Sequence, residues 1–262
     1  MRDREYIQSL GRGFRILELF GEHASPLSLT EVANHTGLNK TTAQRFLRTL
    51  CTLGYVERQE NRKFFWGPRI LSLGVLYLNS SNLVKVAKPF LDELSGELHR
   101  TVNMAVLDGG HVVFLYRREV KVFLKYDLHP GSRLPAHCTA SGKVLLAGLP
   151  KERLRELLRE MELTKVTPRT ITDPDLLQKE IARTRRRGYS ICDRELSMDL
   201  LSIGAPVYDS GGTLFAAANI SLLVKGKEES DTAEAIEGLL RAGESISRAV
   251  GYRGAYPFFE AQ

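Results

Sequence analysis

The sequence predicts an α+β chain: an N-terminal winged helix-turn-helix, a linker helix, and a larger C-terminal domain in which an antiparallel sheet is flanked by helices. Three observations lead there. Ser28 to Leu50 reads as two short helices joined by a tight glycine turn, and the second carries Lys40, Arg45 and Arg48 but no acid. Ile70 to Val84 is uncharged and apolar on several faces. From about Asn82, helical patterns alternate with strand pairs around two glycine turns, Asp108-Gly109-Gly110 and Asp209-Ser210-Gly211-Gly212.

The first helix is expected from Ile7 to Phe20, with Leu10, Phe14, Leu17 and Leu19 among its apolar positions. Ser28 followed three residues on by Glu31 is a capping box, which starts the second helix near Leu29 and sets Leu29, Val32 and Ala33 on one face. Gly37 ends it, since glycine accepts the left-handed conformation of a sharp turn. Asn39 can cap a third helix with Ala43, Phe46, Leu47, Leu50 and Leu53 on its apolar face, and Gly54 closes it. The opposite face shows Lys40, Thr41, Gln44, Arg45, Arg48 and Thr49.

Helix-turn-helix proteins present the N-terminal part of the second motif helix to base edges. Gln44 and Arg45 have the donor patterns for adenine and guanine, while Lys40, Thr41 and Thr42 suit phosphates. Tyr55 to Arg58 and Lys63 to Trp66 read as the strands of a wing around the polar turn Gln59 to Arg62. Arg58, Arg62 and Lys63 then stand at or beside its tip, placed for a further phosphate. Residues 1–69 hold 11 Lys and Arg against 7 Asp and Glu, so +4 of the chain's net +6 lies beside the motif. Double-stranded DNA is the expected partner, held in a salt-sensitive way. A solvated basic helix face is the plain alternative; the tight turn, the missing acids and the wing favour DNA.

Gly67-Pro68 breaks the chain before the linker. A helix with Ile70, Leu71, Leu73, Val75, Leu76, Tyr77 and Leu78 spread around it is expected to pack on another helix. Its own copy in a homodimer is one partner; burial within its own chain is the alternative. The domains expected are a DNA-binding domain at 1–69, a linker and dimerisation helix at 70–82, a second domain at 83–252 and a tail at 253–262.

In the second domain Leu83 to His99 is an amphipathic helix, and Thr101 to Leu107 pairs with His111 to Arg117 across the first glycine turn. Val122 to Leu128 reads as a third strand. Helices follow at Thr139 to Leu146, Lys151 to Met161 and Asp173 to Arg187, the last closed by Gly188. After the strand-like Tyr189-Ser190-Ile191, Leu201 to Tyr208 and Thr213 to Leu222 form a second hairpin, and Thr232 to Val250 is the final helix. An antiparallel sheet with helices at its sides accommodates this order.

With 43% hydrophobic and 26% charged residues over 262 positions, the composition is that of a folded two-domain protein. No window has the length of a membrane span and no signal-like segment opens the chain, so a cytoplasmic protein without a membrane partner is expected. Cys51, Cys138 and Cys192 are scattered and odd in number, which speaks against a disulfide framework. Neither a Walker loop nor a Gly-x-Ser-x-Gly elbow occurs, and no cofactor is expected.

Leu134 to Lys143 puts small polar residues at a helix start, where backbone amides with Thr139, Ser141 and Gly142 can hold an anion; simple capping by Thr139 is the plainer use. Ser202, Asn219 and Ser221 are polar positions in apolar strands, and their convergence on one pocket would make a ligand site. An acid would need a counter-charge, for which Arg117 and Arg133 are the candidates. Two other functions compete. An enzyme would use His137, Cys138 or Ser141, but adjacent residues rarely give nucleophile–base geometry. A metal-responsive regulator would draw on His137, Cys138, Cys192, Asp193 and Glu195, whose spacing matches no ligand pattern.

Several segments in order carry a resemblance: Ser9 to Gly13, Gly37 to Thr42, Gly54-Tyr55-Val56, Pro135 to Lys143, Arg187 to Glu195 and Gly204 to Asp209. Through them the chain resembles the IclR-type bacterial transcriptional regulators over nearly its full length. The resemblance implies a winged helix-turn-helix joined by a linker helix to a GAF-like effector domain, and dimers, often paired into tetramers on DNA. Tyr6 to Leu10 and Asp127 to Pro135 look most like repressors and activators of protocatechuate, p-hydroxybenzoate and β-ketoadipate catabolism, implying a small aromatic or dicarboxylic acid as effector. It further implies Ala140, Ser141, Gly142, Asp193, Ser202, Asn219 and Ser221 as effector-binding residues.

Overall fold

The computed structural model describes residues 5–23, 25–80, 82–120, 128–224 and 229–257. It divides into two compact units, one ending at Ser80 and the other beginning at Ser81.

The first unit contains α1 (Gln8–Glu22), α2 (Leu29–Thr36), α3 (Lys40–Thr52), the hairpin β1 (Val56–Arg58) and β2 (Phe64–Trp66), and α4 (Arg69–Ser80). The local signals act as expected. The Ser28 N–H donates to Glu31 Oε2 at 2.7 Å and the Glu31 N–H to Ser28 Oγ at 3.3 Å, closing the capping box that starts α2. Gly37 is left-handed at φ 68°. The Thr42 N–H donates to Asn39 Oδ1 at 2.8 Å at the head of α3. Leu27 bridges to Phe64 beside the hairpin. Ile16, Leu17, Leu19 and Phe20 of α1 pack with Val32, Leu47, Leu50, Val56 and Phe64 in one core.

Two expectations about apolar faces are corrected. Leu10 and Phe14 of α1 are exposed, as are Tyr6 and Ile7, because the small core is filled by the second half of the helix. Leu53, at the C-cap of α3, is also exposed. The linker α4 leaves Leu71, Leu73, Val75, Leu76 and Tyr77 exposed, Leu71 at 72% and Leu76 at 63%. Burial within its own unit is therefore not what this helix has.

The second unit opens with α5 (Asn82–Leu98), then β3 (Thr101–Asp108), β4 (His111–Arg118), β5 (Arg133–Pro135), a 3-10 turn (Ala136–Cys138), α6 (Ala140–Ala147), α7 (Lys151–Glu160), α8 (Pro174–Arg187), β6 (Ser190–Asp193), β7 (Leu200–Tyr208), β8 (Leu214–Leu223) and α9 (Glu229–Ala249). The described strands form an antiparallel sheet in the order β5-β4-β3-β8-β7-β6. The two hairpins meet at its centre, where β3 pairs with β8. Helices α5 and α9 pack together and against the sheet. Helices α6, α7 and α8 close a second core with Val112, Phe114 and Leu134 of the sheet. The expected strand Val122–Leu128 lies outside the described residues except for Leu128, which belongs to no strand.

Helix α6 is buried along its whole length. A Cβ on Gly142 would stand 2.1 Å from the Ala136 carbonyl oxygen, and one on Gly204 would stand 2.7 Å from the Ala140 carbonyl oxygen. Both positions need glycine because α6 lies directly on the turn before it and on β7. Arg185 of α8 donates to the Ala147 and Leu149 carbonyls at 2.7 and 2.6 Å, satisfying groups orphaned at the end of α6.

Candidate functional site

The first candidate site is the outer face of α3 with the wing. Lys40, Thr41, Gln44, Arg45 and Arg48 are exposed on α3, and Thr42 is half-buried beside the cap. Arg58 and Arg62 are exposed at the hairpin and Lys63 is half-buried. Among the described residues none of these six cations is in an ion pair, although Arg58 lies over the Phe64 ring at 5.9 Å. Cations without acid partners are free to meet phosphates, since no internal pair would have to be broken. Arg69 donates from Nη1 to the Leu53 carbonyl at 2.8 Å, so it serves the C-terminal end of α3.

The second candidate site is a cleft between α6 and the sheet. It is narrow, with a cavity volume of about 30 Å³, and is partly open to solvent. Sheet register builds its polar wall. Arg117 of β4 stands opposite Asn103 of β3, Asn103 opposite Asn219 of β8, and Asn219 opposite Gly204 of β7. One row on, Ser221 stands opposite Ser202, and Ser202 opposite Cys192 of β6. Residues in register point to one face of an antiparallel sheet, and this face meets the start of α6. Ser141 Oγ donates to Asn219 Oδ1 at 3.1 Å, and Ser190 Oγ to the Ala140 carbonyl at 2.7 Å. Phe114, Leu134, Leu196 and Leu200 supply apolar walls.

Of the residues implied for an effector, Ala140, Ser141, Ser202, Asn219 and Ser221 line this cleft. Gly142 and Asp193 are not on its lining. Gly142 lies against Ala136, and its N–H is taken by Thr139 Oγ1 at 3.2 Å. Asp193 is paired with Arg169 and Arg194. Asn103 on β3 and Phe114 on β4 join the lining without having been singled out from the sequence; the signal was a polar Asn103 inside an apolar strand. Of the two candidate counter-charges, Arg133 is exposed and held by Asp108, whereas Arg117 is buried.

The chemistry of the cysteines runs against nucleophilic catalysis. Burial pushes the Cys138 thiol up to about 12, and burial likewise raises Cys192, whose Sγ donates to the Cys138 carbonyl at 3.0 Å. A nucleophile needs the opposite shift. His137 lies 3.0 Å from the Thr164 carbonyl through Nε2, engaged away from Cys138. Glu195 is buried against Lys143 and paired with that ammonium. Among the described residues no group of three or more His, Cys, Asp or Glu is arranged to hold a metal ion.

Comparison with known proteins agrees with this division. Residues 9–60 match the IclR helix-turn-helix domain and residues 75–248 the C-terminal domain of bacterial transcriptional regulators of the IclR type. The Pca regulon regulatory protein of Pseudomonas putida is 36% identical over 220 residues, covering 84% of this chain and 75% of that protein. The p-hydroxybenzoate hydroxylase transcriptional activator of Acinetobacter baylyi is 36% identical over 225 residues, covering 84% and 82%. An IclR homologue of Microbacterium hydrocarbonoxydans crystallised with 4-hydroxybenzoate superposes with a TM-score of 0.77 at 26% identity, covering 92% of this chain and 98% of that one.

Proposed function

The chain belongs to the IclR family of bacterial transcriptional regulators, and from that premise we propose that it binds operator DNA under the control of a small organic acid and regulates catabolic genes. The acid is aromatic or dicarboxylic and occupies the cleft between α6 and the sheet. The observation that carries this reading is the polar row Arg117–Asn103–Asn219, continued by Ser141, inside otherwise apolar walls. Buried polar groups aligned across several strands suit a ligand that is itself polar at its edge and apolar in its body. Relatives that act in aromatic-acid pathways, and one crystallised with 4-hydroxybenzoate, support the choice of acid.

Residues 1–69 act as the DNA-binding domain, 70–82 as the linker and 83–252 as the effector domain. Lys40, Thr41 and Thr42 hold phosphates at the head of α3, Gln44 and Arg45 read bases, and Arg48 follows along the groove. Arg58, Arg62 and Lys63 hold a phosphate from the wing. The exposed apolar residues of α1 and α4 form a homodimer interface, so two reader helices meet a two-fold operator with half-sites about 34 Å apart, or a multiple of that. Effector binding shifts the dimer between states that differ in reader spacing, which requires different effector affinities in the two.

A thermal-shift screen of the purified protein against aromatic acids, dicarboxylic acids and sugar acids tests the effector reading. A binder raises the transition by mass action, and the expected hits are aromatic or dicarboxylic acids. Stabilisation by sugar acids alone, or by none of these, contradicts the proposal.

A further inference from the structure

We infer that Arg117 selects for a single carboxylate in the cleft, making the effector a monocarboxylic acid with an apolar body; this rests on the small-acid reading above. Arg117 lies near the end of β4, on the cleft lining, and its side chain is 4% exposed. A guanidinium stays charged in a protein, so one buried among apolar walls needs acceptors for its donors. Two acceptors are present: Asn103 Oδ1 lies 2.8 Å from Nη1 and Glu119 Oε1 lies 2.9 Å from Nη2. The Nε–H is buried and has no acceptor among the described residues. Asn103 is neutral, and the Glu119 side chain is 52% exposed, so water screens it. The charge of Arg117 is thus only partly compensated. A planar donor edge with a free buried N–H is matched by a carboxylate, which accepts charge-assisted hydrogen bonds in that plane.

The same cleft sets the number of carboxylates. Among the described residues Arg117 is the one cation on the lining. Lys143 of α6 is committed to Glu195 and is not on it. A second carboxylate would be desolvated beside Phe114, Leu134, Leu196 and Leu200 with no second cation among the described residues to meet it. A neutral hydroxyl at the far end would instead find Ser202, Ser221 or Asn219.

The test is calorimetric titration of the full-length protein and of Arg117→Met and Arg117→Lys with 4-hydroxybenzoate, its neutral isostere 4-hydroxybenzamide, and adipate. The wild type is expected to bind the benzoate at least about tenfold more tightly than the amide or adipate, the range of a charge-assisted hydrogen bond. Arg117→Met is expected to lose at least about tenfold toward the acid while its amide affinity stays within about twofold, and Arg117→Lys to fall between. Undiminished acid binding by a folded Arg117→Met overturns the assignment, and adipate binding as tightly as the benzoate overturns the single-carboxylate claim. If Arg117→Met does not fold, as judged by circular dichroism, the wild-type ratio of acid to amide and the lysine variant decide, and a ratio near one overturns the proposal. A wild type that binds none of the three removes the small-acid reading itself, and this inference with it.

Discussion

Replacing Lys143 by methionine should leave the protein unstable in a way that depends on pH. Lys143 and Glu195 face each other with side chains 1% and 8% exposed, and Glu195 Oε2 already lacks a hydrogen-bond partner. Burial raises the Glu195 carboxyl above its usual 4.5, while the Lys143 charge opposes that rise. Without the lysine the carboxyl escapes its buried charge by taking up a proton. At pH 7 this costs about 1.36 kcal/mol for each of the 2.5 pH units above 4.5, or about 3.4 kcal/mol. At pH 5 the cost falls to about 0.7 kcal/mol. The sign follows from linkage: a carboxyl raised in the folded state contributes fully below pH 4.5 and loses that contribution as pH rises toward its folded value. Urea unfolding of Lys143→Met against wild type at pH 5 and pH 7 measures this. Lys143→Met/Glu195→Gln should recover most of the loss at pH 7, since no charge is then buried unpaired. A destabilisation equal at the two pH values, or below about 1 kcal/mol at pH 7, would refute a desolvated pair.

Two other outcomes are expected. Arg45→Ala should cost roughly 1–3 kcal/mol of operator binding and relax base preference at one position, whereas Lys63→Ala should weaken all duplexes alike and flatten the salt dependence; anisotropy titrations over a set of operator variants separate the two, and an unchanged preference in Arg45→Ala rules it out as a base reader. Leu71→Asp/Leu76→Asp should shift the protein toward monomer in sedimentation velocity and weaken operator binding, because both side chains are exposed on α4; an unaltered oligomer would place the interface elsewhere.

The N-terminal unit was legible because its signals are local. Ser28 with Glu31, Gly37 and Asn39 each act within four residues of themselves, and the structure has all of them in their expected roles. Leu10 and Phe14 show the limit of periodicity: it marks an apolar face without saying whether the chain's own core reaches it. In the second unit the elements were legible but their pairing was not. The meeting of β3 with β8, over one hundred residues apart, is what aligns Asn103 with Asn219, and no local pattern encodes that register. The short edge strand Arg133–Pro135 is too brief to show alternation. Burial of Arg117 is also a tertiary fact, whereas the use of Gly142 follows from how closely α6 lies on Ala136. Asp193 sits beside the cleft strands in sequence, but its carboxylate turns to arginines instead.

The most direct test of the account is whether filling the cleft changes DNA affinity. Fluorescence anisotropy with a duplex from the region upstream of the gene, with and without a saturating acid identified by thermal shift, measures the coupling. A change in Kd of about fivefold or more is expected, the lower bound of ordinary allosteric coupling. An unchanged Kd, with thermal shift showing the acid bound under the same conditions, would contradict it.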